Sequence, residues 1–204
     1  MTNLSQSSAN FPWSIAELPA LRQALLKLFC EVAYGEGDFL LSSGQKSTYY
    51  INSKQVTLHP QGGLAVGRIL LPTIASETVA VAGLTLGADP IVTAVSVVAA
   101  YEGRSLAALI VRKEPKGHGT QAYIEGPTLP EGSPVVVLED VVTTGQSAMK
   151  AVDRLREAGY QVEEVITLVD RQQGGAEFYE KAGLKFQAVF TIQDLQKCWQ
   201  ELHA

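Results

Sequence analysis

The stretch Val135-Val136-Val137-Leu138-Glu139-Asp140-Val141-Val142-Thr143-Thr144-Gly145-Gln146-Ser147 determines how the rest of the chain is read. Its first four residues are apolar without polar alternation, the pattern of a strand covered on both faces in a mostly parallel sheet. Two carboxylates end that strand, and a hydroxyl-rich turn with one glycine then opens a helix. Over residues 147–158 the positions Ala148, Ala151, Val152 and Leu155 share one face, and Gly159 stands at C′. Ligands of open parallel sheets sit beyond the carboxyl ends of the strands, so this turn lies where a site belongs.

Outward from it, the chain alternates short apolar runs with helical spacing. Residues 79–83, 107–111 and 165–169 read as further strands and 90–101 as a helix. Residues 15–34 carry Leu18, Leu21, Leu25, Leu28, Phe29 and Val32 at helical spacing, and Gly35 and Gly37 are expected to stop that helix. Phe39-Leu40-Leu41 and Tyr49-Tyr50-Ile51 flank a polar turn, Ser42-Ser43-Gly44-Gln45-Lys46, which predicts a β-hairpin. A helix over 61–75 would turn Leu64, Ile69 and Leu70 inward. The expected architecture is α/β: a mostly parallel central sheet flanked by helices, with a small N-terminal helix and hairpin packed on as a flap over about 38–52. One domain over 1–204 is expected, with residues 1–12 frayed.

A chain of 204 residues can bury a full core, and 46% hydrophobic with 18% charged residues marks a globular protein. The net charge of −5 argues against general affinity for nucleic acid or anionic membrane. No apolar run is long enough to span a bilayer. Residues 1–10 lack the basic start and apolar core of a signal peptide. Cys30 and Cys198 lie in helix-like patterns and read as buried thiols, which places the chain in the cytoplasm.

The turn offers backbone N–H groups at a helix N-terminus, with hydroxyls from Thr143, Thr144 and Ser147, a setting for a phosphate monoester. Glu139 and Asp140 would repel that phosphate. Placed upstream of it, they suit ribose hydroxyls or Mg²⁺ and its waters. The plainer alternative is two exposed acids and a turn that only caps a helix. A second cluster, Arg112-Lys113-Glu114-Pro115-Lys116-Gly117-His118-Gly119-Thr120, sets three cations and a histidine in a glycine-punctuated loop after a strand. Such a loop can neutralise a polyanionic leaving group, or it can be a solvated basic loop. Asp170-Arg171 ends the next strand, where a guanidinium can grip a carboxylate or form a surface ion pair.

The stretch 135–147 resembles the phosphoribosyl pyrophosphate (PRPP) motif of type I phosphoribosyltransferases, with Glu139 where many members have Asp. The Arg-Lys-Glu, Lys, His loop and Asp170-Arg171 are similar to those of the orotate phosphoribosyltransferases, and the likeness covers about residues 16–199. It implies that PRPP contacts Glu139, Asp140, Val141, Val142, Thr143, Thr144, Gly145, Gln146 and Ser147. It implies too that Arg112, Lys113, Lys116 and His118 act at the pyrophosphate and form the catalytic set, with proton donation by Lys116 or His118. Thr143 and Arg171 would bind orotate, and the hairpin resembles the flap over that base, although Tyr49 and Tyr50 fit core aromatics equally. The resemblance further implies Mg²⁺ as cofactor and a homodimer whose loop crosses between subunits.

Two departures stand out. Ser42 and Gly87 occupy places where some members carry lysines, and backbone groups or Lys54 are the candidates to replace them. His59 and His203 fall outside all three motifs. The implied reaction is orotate plus PRPP giving orotidine 5′-monophosphate and pyrophosphate, with UMP made by a separate decarboxylase. The other readings are a purine or different pyrimidine as acceptor, and a PRPP-sensing regulator that binds nucleic acid. The acidic composition speaks against the regulator.

Overall fold

The computed structural model describes residues 11–40, 46–115 and 123–204. The order of elements is α1 (Leu18–Val32), β1 (Tyr34–Leu40), β2 (Lys46–Ile51), α2 (Lys54–Thr57), α3 (Pro60–Leu70), a 3-10 turn (Leu71–Thr73), β3 (Ala80–Leu84), α4 (Asp89–Tyr101), β4 (Ala107–Val111) and β5 (Ile124–Glu125). It continues with β6 (Val135–Val142), α5 (Gln146–Glu157), β7 (Glu164–Asp170), α6 (Gly175–Lys181), β8 (Lys185–Thr191) and α7 (Ile192–His203).

Six strands form the central sheet in the order β5-β4-β3-β6-β7-β8, all parallel except the β4–β5 pair. Alternation along the strands divides the interior in two. Val136 and Leu138 of β6 face the core built with α1, α3, α4 and α7, where Leu21, Phe29, Val66 and Ile91 are fully covered. Val135, Val137 and Val142 face the other layer, with Ala151, Val152 and Leu155 of α5 and Tyr179 of α6. Both faces are covered, which is why the strands read as continuous apolar runs. This is the expected α/β architecture.

The boundaries differ from expectation in instructive ways. α1 begins at Leu18 with Pro19 in its first turn, and Ala33 is its C-cap. Gly35 and Gly37 therefore do not end the helix; they lie inside β1, which starts at Tyr34 and pairs Gly35 with Tyr50. Residues 11 and 12 are not frayed, because Phe11 packs edge-on against buried Trp13 at 5.2 Å and Arg68 Nη1 donates to the Trp13 carbonyl at 2.8 Å. Residues 1–10 and the hairpin tip with Leu41 and Ser42 lie outside the described residues. α3 ends at Leu70, five residues short of the expected span, where Pro72 tightens the chain into the 3-10 turn. β6 does not stop at its acids; it carries Glu139 and Asp140 within the strand and runs to Val142, because pairing with β7 continues from Val137–Val165 to Val142–Asp170.

Both cysteines are free thiols. Cys30 is buried on α1, and its thiol donates to the Leu195 carbonyl of α7 at 3.4 Å. Burial, with Cys198 beside it, pushes the Cys30 thiol well above its ordinary range. Among the described residues no helix is long and apolar enough to cross a membrane.

Candidate functional site

Four parallel strands end on one edge of the sheet, and their order brings four chain segments side by side. β3 and β4 lie on one side of a strand-order reversal and β6 and β7 on the other, so the crevice opens between β3 and β6. Backbone bonds tie the ends together: Thr85 donates to the Val111 carbonyl at 2.9 Å, and Arg171 to the Val142 carbonyl at 2.9 Å. Arg112, residues 85–88, the turn 143–145 and Arg171 thus line one rim.

The turn after β6 encloses a cavity of about 70 Å³, lined by Glu139, residues 141–148 and Tyr179. Gly145 is the N-cap of α5 and has φ +86°, a conformation that side-chain-bearing residues rarely adopt. Its position is crowded as well: a Cβ there would lie 2.9 Å from Phe178 Cδ1 and from Tyr179 Cζ. The first N–H groups of α5 have no intrahelical partner, and their partial positive charge faces the turn. Thr144 and Ser147 are exposed and Thr143 half-buried. The arrangement suits a phosphate.

The two acids divide sharply. Glu139 is buried, and its Oε2 finds no hydrogen-bond partner among the described residues. Burial, and next the adjacent Asp140 carboxylate, push the Glu139 carboxyl well above the usual range, with the Lys113 charge opposing. Asp140 is half-exposed, accepts from the Val141 N–H at 2.9 Å and accepts a short hydrogen bond from the Ser53 hydroxyl. Gly87 lies against it: a Cβ there would stand 2.7 Å from Asp140 Oδ1. A side chain at position 87 would therefore stand directly against the Asp140 carboxylate, which would turn to admit it.

Among the described residues no group of three or more His, Cys, Asp or Glu side chains could hold a metal by itself. The donor set present is one half-exposed carboxylate, Asp140, with Glu139 behind it. That set fits magnesium carried in by a phosphorylated substrate, since the ion keeps several waters and takes one or two carboxylates.

Of the cationic segment, Arg112 pairs with Glu125 of β5 at 3.0 Å, and its Nε donates to the Glu114 carbonyl at 3.1 Å. Lys113 is exposed. Lys116 and His118 lie outside the described residues. Arg154 of α5, which no local motif marks, holds both stems of the loop. It donates to the carbonyls of Arg112 and Lys113, the latter at 2.8 Å, and stacks over the Tyr123 ring at 4.0 Å.

At the far end of the crevice, Asp170 Oδ1 accepts from the Gln172 N–H at 2.8 Å, shaping the turn that presents Arg171. Arg171 Nε donates to the Tyr49 hydroxyl at 3.0 Å, so the hairpin closes on this end. Lys54 instead lines a groove against α4, with His59 and Asp89. His203 stacks on Trp199 of α7, distant in sequence from every motif. Ser53, Arg154 and Tyr179 escaped the sequence reading because each acts on a partner far along the chain.

Comparison with known proteins agrees with this geometry. The family model for the phosphoribosyl transferase domain matches residues 52–193. The chain is 75% identical to the orotate phosphoribosyltransferase of Nostoc sp. over 92% of its own length and 91% of that protein's. It is 65% identical to the enzyme of the same name from Synechocystis sp., over 91% of this chain and 94% of that one. Among solved structures, Mycobacterium tuberculosis orotate phosphoribosyltransferase in complex with PRPP superposes with a TM-score of 0.73 at 35% identity, covering 86% of this chain and 99% of that one. The same protein in complex with Fe(III) dicitrate gives 0.77 at 39% identity over 86% of this chain and 98% of that one. The family model over residues 52–193 and the identity with two orotate phosphoribosyltransferases over nine-tenths of the chain place it in the phosphoribosyltransferase family, among the orotate phosphoribosyltransferases.

Proposed function

We propose that the chain transfers the 5-phosphoribosyl group of PRPP to orotate, giving orotidine 5′-monophosphate and pyrophosphate in UMP biosynthesis. The observation that carries this is the convergence of three chemically distinct sites on one strand edge: a phosphate turn at α5, cations at Arg112 and Lys113, and the Arg171 guanidinium at the opposite end. A purine acceptor has no carboxylate to engage that guanidinium.

The turn 143–147 holds the 5′-phosphate through the first N–H groups of α5 and its hydroxyls. Asp140 and Glu139 lie along the ribose 2′ and 3′ hydroxyls, and Arg171 with Thr143 takes the orotate carboxylate and ring oxygens. The ring nitrogen of orotate, its proton already lost to solvent, displaces pyrophosphate at the anomeric carbon, through a sugar cation that water would otherwise capture. The hairpin excludes that water. Lys113, Lys116 and Arg112 neutralise the leaving group, and Lys116 or His118 delivers a proton to it. Asp140, directly or through water, would hold Mg²⁺, whose positive charge on the pyrophosphate lowers the barrier to its departure.

The working unit is a homodimer in the cytoplasm, with the cationic loop reaching the neighbouring site. One face supports this: Leu58, Leu86 and Val97 are exposed along a groove of about 780 Å³ between α2, α3 and α4. A second copy of the chain covers that face.

The test is orotate consumption followed by ultraviolet absorbance with purified protein, PRPP and Mg²⁺. Loss of absorbance that requires all three supports the reading; none, with PRPP still bound, replaces orotate with another acceptor. Lys116→Ala should lower turnover at saturating PRPP roughly 100-fold. Unchanged turnover removes Lys116 from the catalytic set.

A further inference from the structure

The phosphate turn has a rear wall that belongs to a different element. Tyr179 of α6 is fully buried, lines the cavity of the turn and donates its hydroxyl to the Gly145 carbonyl at 2.9 Å. That carbonyl already accepts the first intrahelical bond of α5, from the Met149 N–H at 3.1 Å. Two donors therefore hold one peptide plane. In a planar trans peptide the carbonyl and the following N–H point in opposite directions, so fixing the Gly145 oxygen toward Tyr179 fixes the Gln146 N–H away from it. Gln146 is the first residue of α5, and its N–H is one of the donors without a partner in the helix.

Two close approaches show that this is a seat and not a chance contact. A Cβ on Gly145 would meet the Tyr179 ring and hydroxyl at 2.9 and 3.2 Å. A Cβ on Gly175, the first residue of α6, would run into Val142 Cγ1 and lie 3.3 Å from the Thr143 carbonyl. α6 presses on the turn from behind at both ends. The ring itself is wedged between Phe178 at 5.7 Å and Phe186 at 5.1 Å, so its hydroxyl has little freedom to turn away.

We infer that Tyr179 is a positioning residue for PRPP, holding the Gly145–Gln146 peptide so that its N–H is preset toward the 5′-phosphate. This rests on the assignment of the turn 143–147 as the 5′-phosphate site. Tyr179 does not touch substrate; it acts through the backbone of the turn, and a hydroxyl that presets one donor affects ground-state and transition-state binding of the phosphate alike.

The test is Tyr179→Phe, which keeps the ring and removes the hydroxyl. KM for PRPP should rise about fivefold to tenfold with kcat within about twofold and KM for orotate unchanged. Competitive inhibition by inorganic phosphate should weaken by a similar factor, while inhibition by pyrophosphate, held by the cationic segment, stays as in the wild type. Val162→Ala removes buried volume from the same core layer and leaves Phe178, Phe186 and the hydroxyl bond in place. It should lower the thermal midpoint and leave KM for PRPP unchanged, which separates positioning from stability and covers the case of a poorly folding Tyr179→Phe. Unchanged KM and phosphate inhibition in Tyr179→Phe overturn the inference, as does an equal loss of pyrophosphate inhibition. Thr144→Ala tells which idea has failed. If it raises KM for PRPP while Tyr179→Phe does not, the turn is the phosphate site and Tyr179 is idle. If neither variant moves KM, the site assignment itself is wrong.

Discussion

The Arg171 guanidinium rests on the ring of Tyr49, 4.8 Å from its centroid, while its Nε donates to the hydroxyl of the same residue at 3.0 Å. One residue comes from the end of β7 and the other from the hairpin strand β2. The hairpin is therefore fastened to the Arg171 end of the crevice by a charged hydrogen bond and a cation–π contact at once. Tyr49→Phe keeps the ring and releases Nε. Hydrogen bonds to charged groups are worth about 1.5–3 kcal/mol, so KM for orotate should rise roughly tenfold, with KM for PRPP unchanged. Steady-state kinetics with each substrate varied in turn checks this, and equal changes in both constants would contradict it.

Two glycines separate backbone strain from crowding. Gly103 has φ +77° with open space where a Cβ would go, whereas Gly145 has φ +86° with aromatic atoms at 2.9 Å. Gly103→Ala should cost only the left-handed conformation, about 1–2 kcal/mol, and leave kinetics intact. Gly145→Ala should cost more and raise KM for PRPP as well. Thermal unfolding beside PRPP titration decides the matter; identical behaviour of the two variants would refute the crowding argument.

Arg154 grips both stems of the cationic segment from α5. Arg154→Ala should release Arg112 and Lys113 from their present places and reduce kcat roughly 10- to 100-fold, since small misplacements near the reacting centre are costly. KM for orotate should not move. A kcat within twofold of wild type would show that the stems hold themselves.

If each site draws its loop from the neighbouring subunit, mixing Lys116→Ala with Arg171→Ala protein should restore activity. Random pairing leaves about a quarter of all sites free of both changes. No recovery after subunit exchange would place both residues in the same subunit's site. Val97→Asp on the exposed apolar face should shift the protein toward the monomer in sedimentation.

Because burial raises the Cys30 thiol above its ordinary range, it stays protonated in the folded protein at pH 8. Thiol reagents should reach only half-buried Cys198 until the protein unfolds. A group raised on folding contributes its stability below the unfolded thiol value near 8.5 and loses it as pH climbs toward the folded value. Rapid labelling of Cys30 in the native state would count against this packing.

The sheet was legible where burial alone sets the pattern. β4 falls on residues 107–111 as read, since Val111 is the last apolar residue before charged Arg112 and Lys113. β6 outruns its apolar stretch because hydrogen bonding to β7 keeps the backbone extended through Glu139 and Asp140, whatever their polarity. β8 escaped notice as an edge strand with Lys185, Gln187 and Ala188 exposed, so it lacks the continuous apolar run of its neighbours. The turn 143–147 and Arg171 are visible as local motifs. Their supports, from Tyr49, Arg154 and Tyr179, are not, because such contacts join residues that have no spacing in common.

The bond from the Arg171 N–H to the Val142 carbonyl joins the two strands whose tips carry the turn 143–147 and the Arg171 guanidinium, the proposed grips for opposite ends of the product. β6 and β7 are paired along most of their length, so the span between phosphate turn and guanidinium has almost no compliance. The rim behaves as a fixed-gap caliper. A nucleotide whose sugar is stretched or shortened by one carbon should fail to bridge the jaws even when both of its ends are chemically correct.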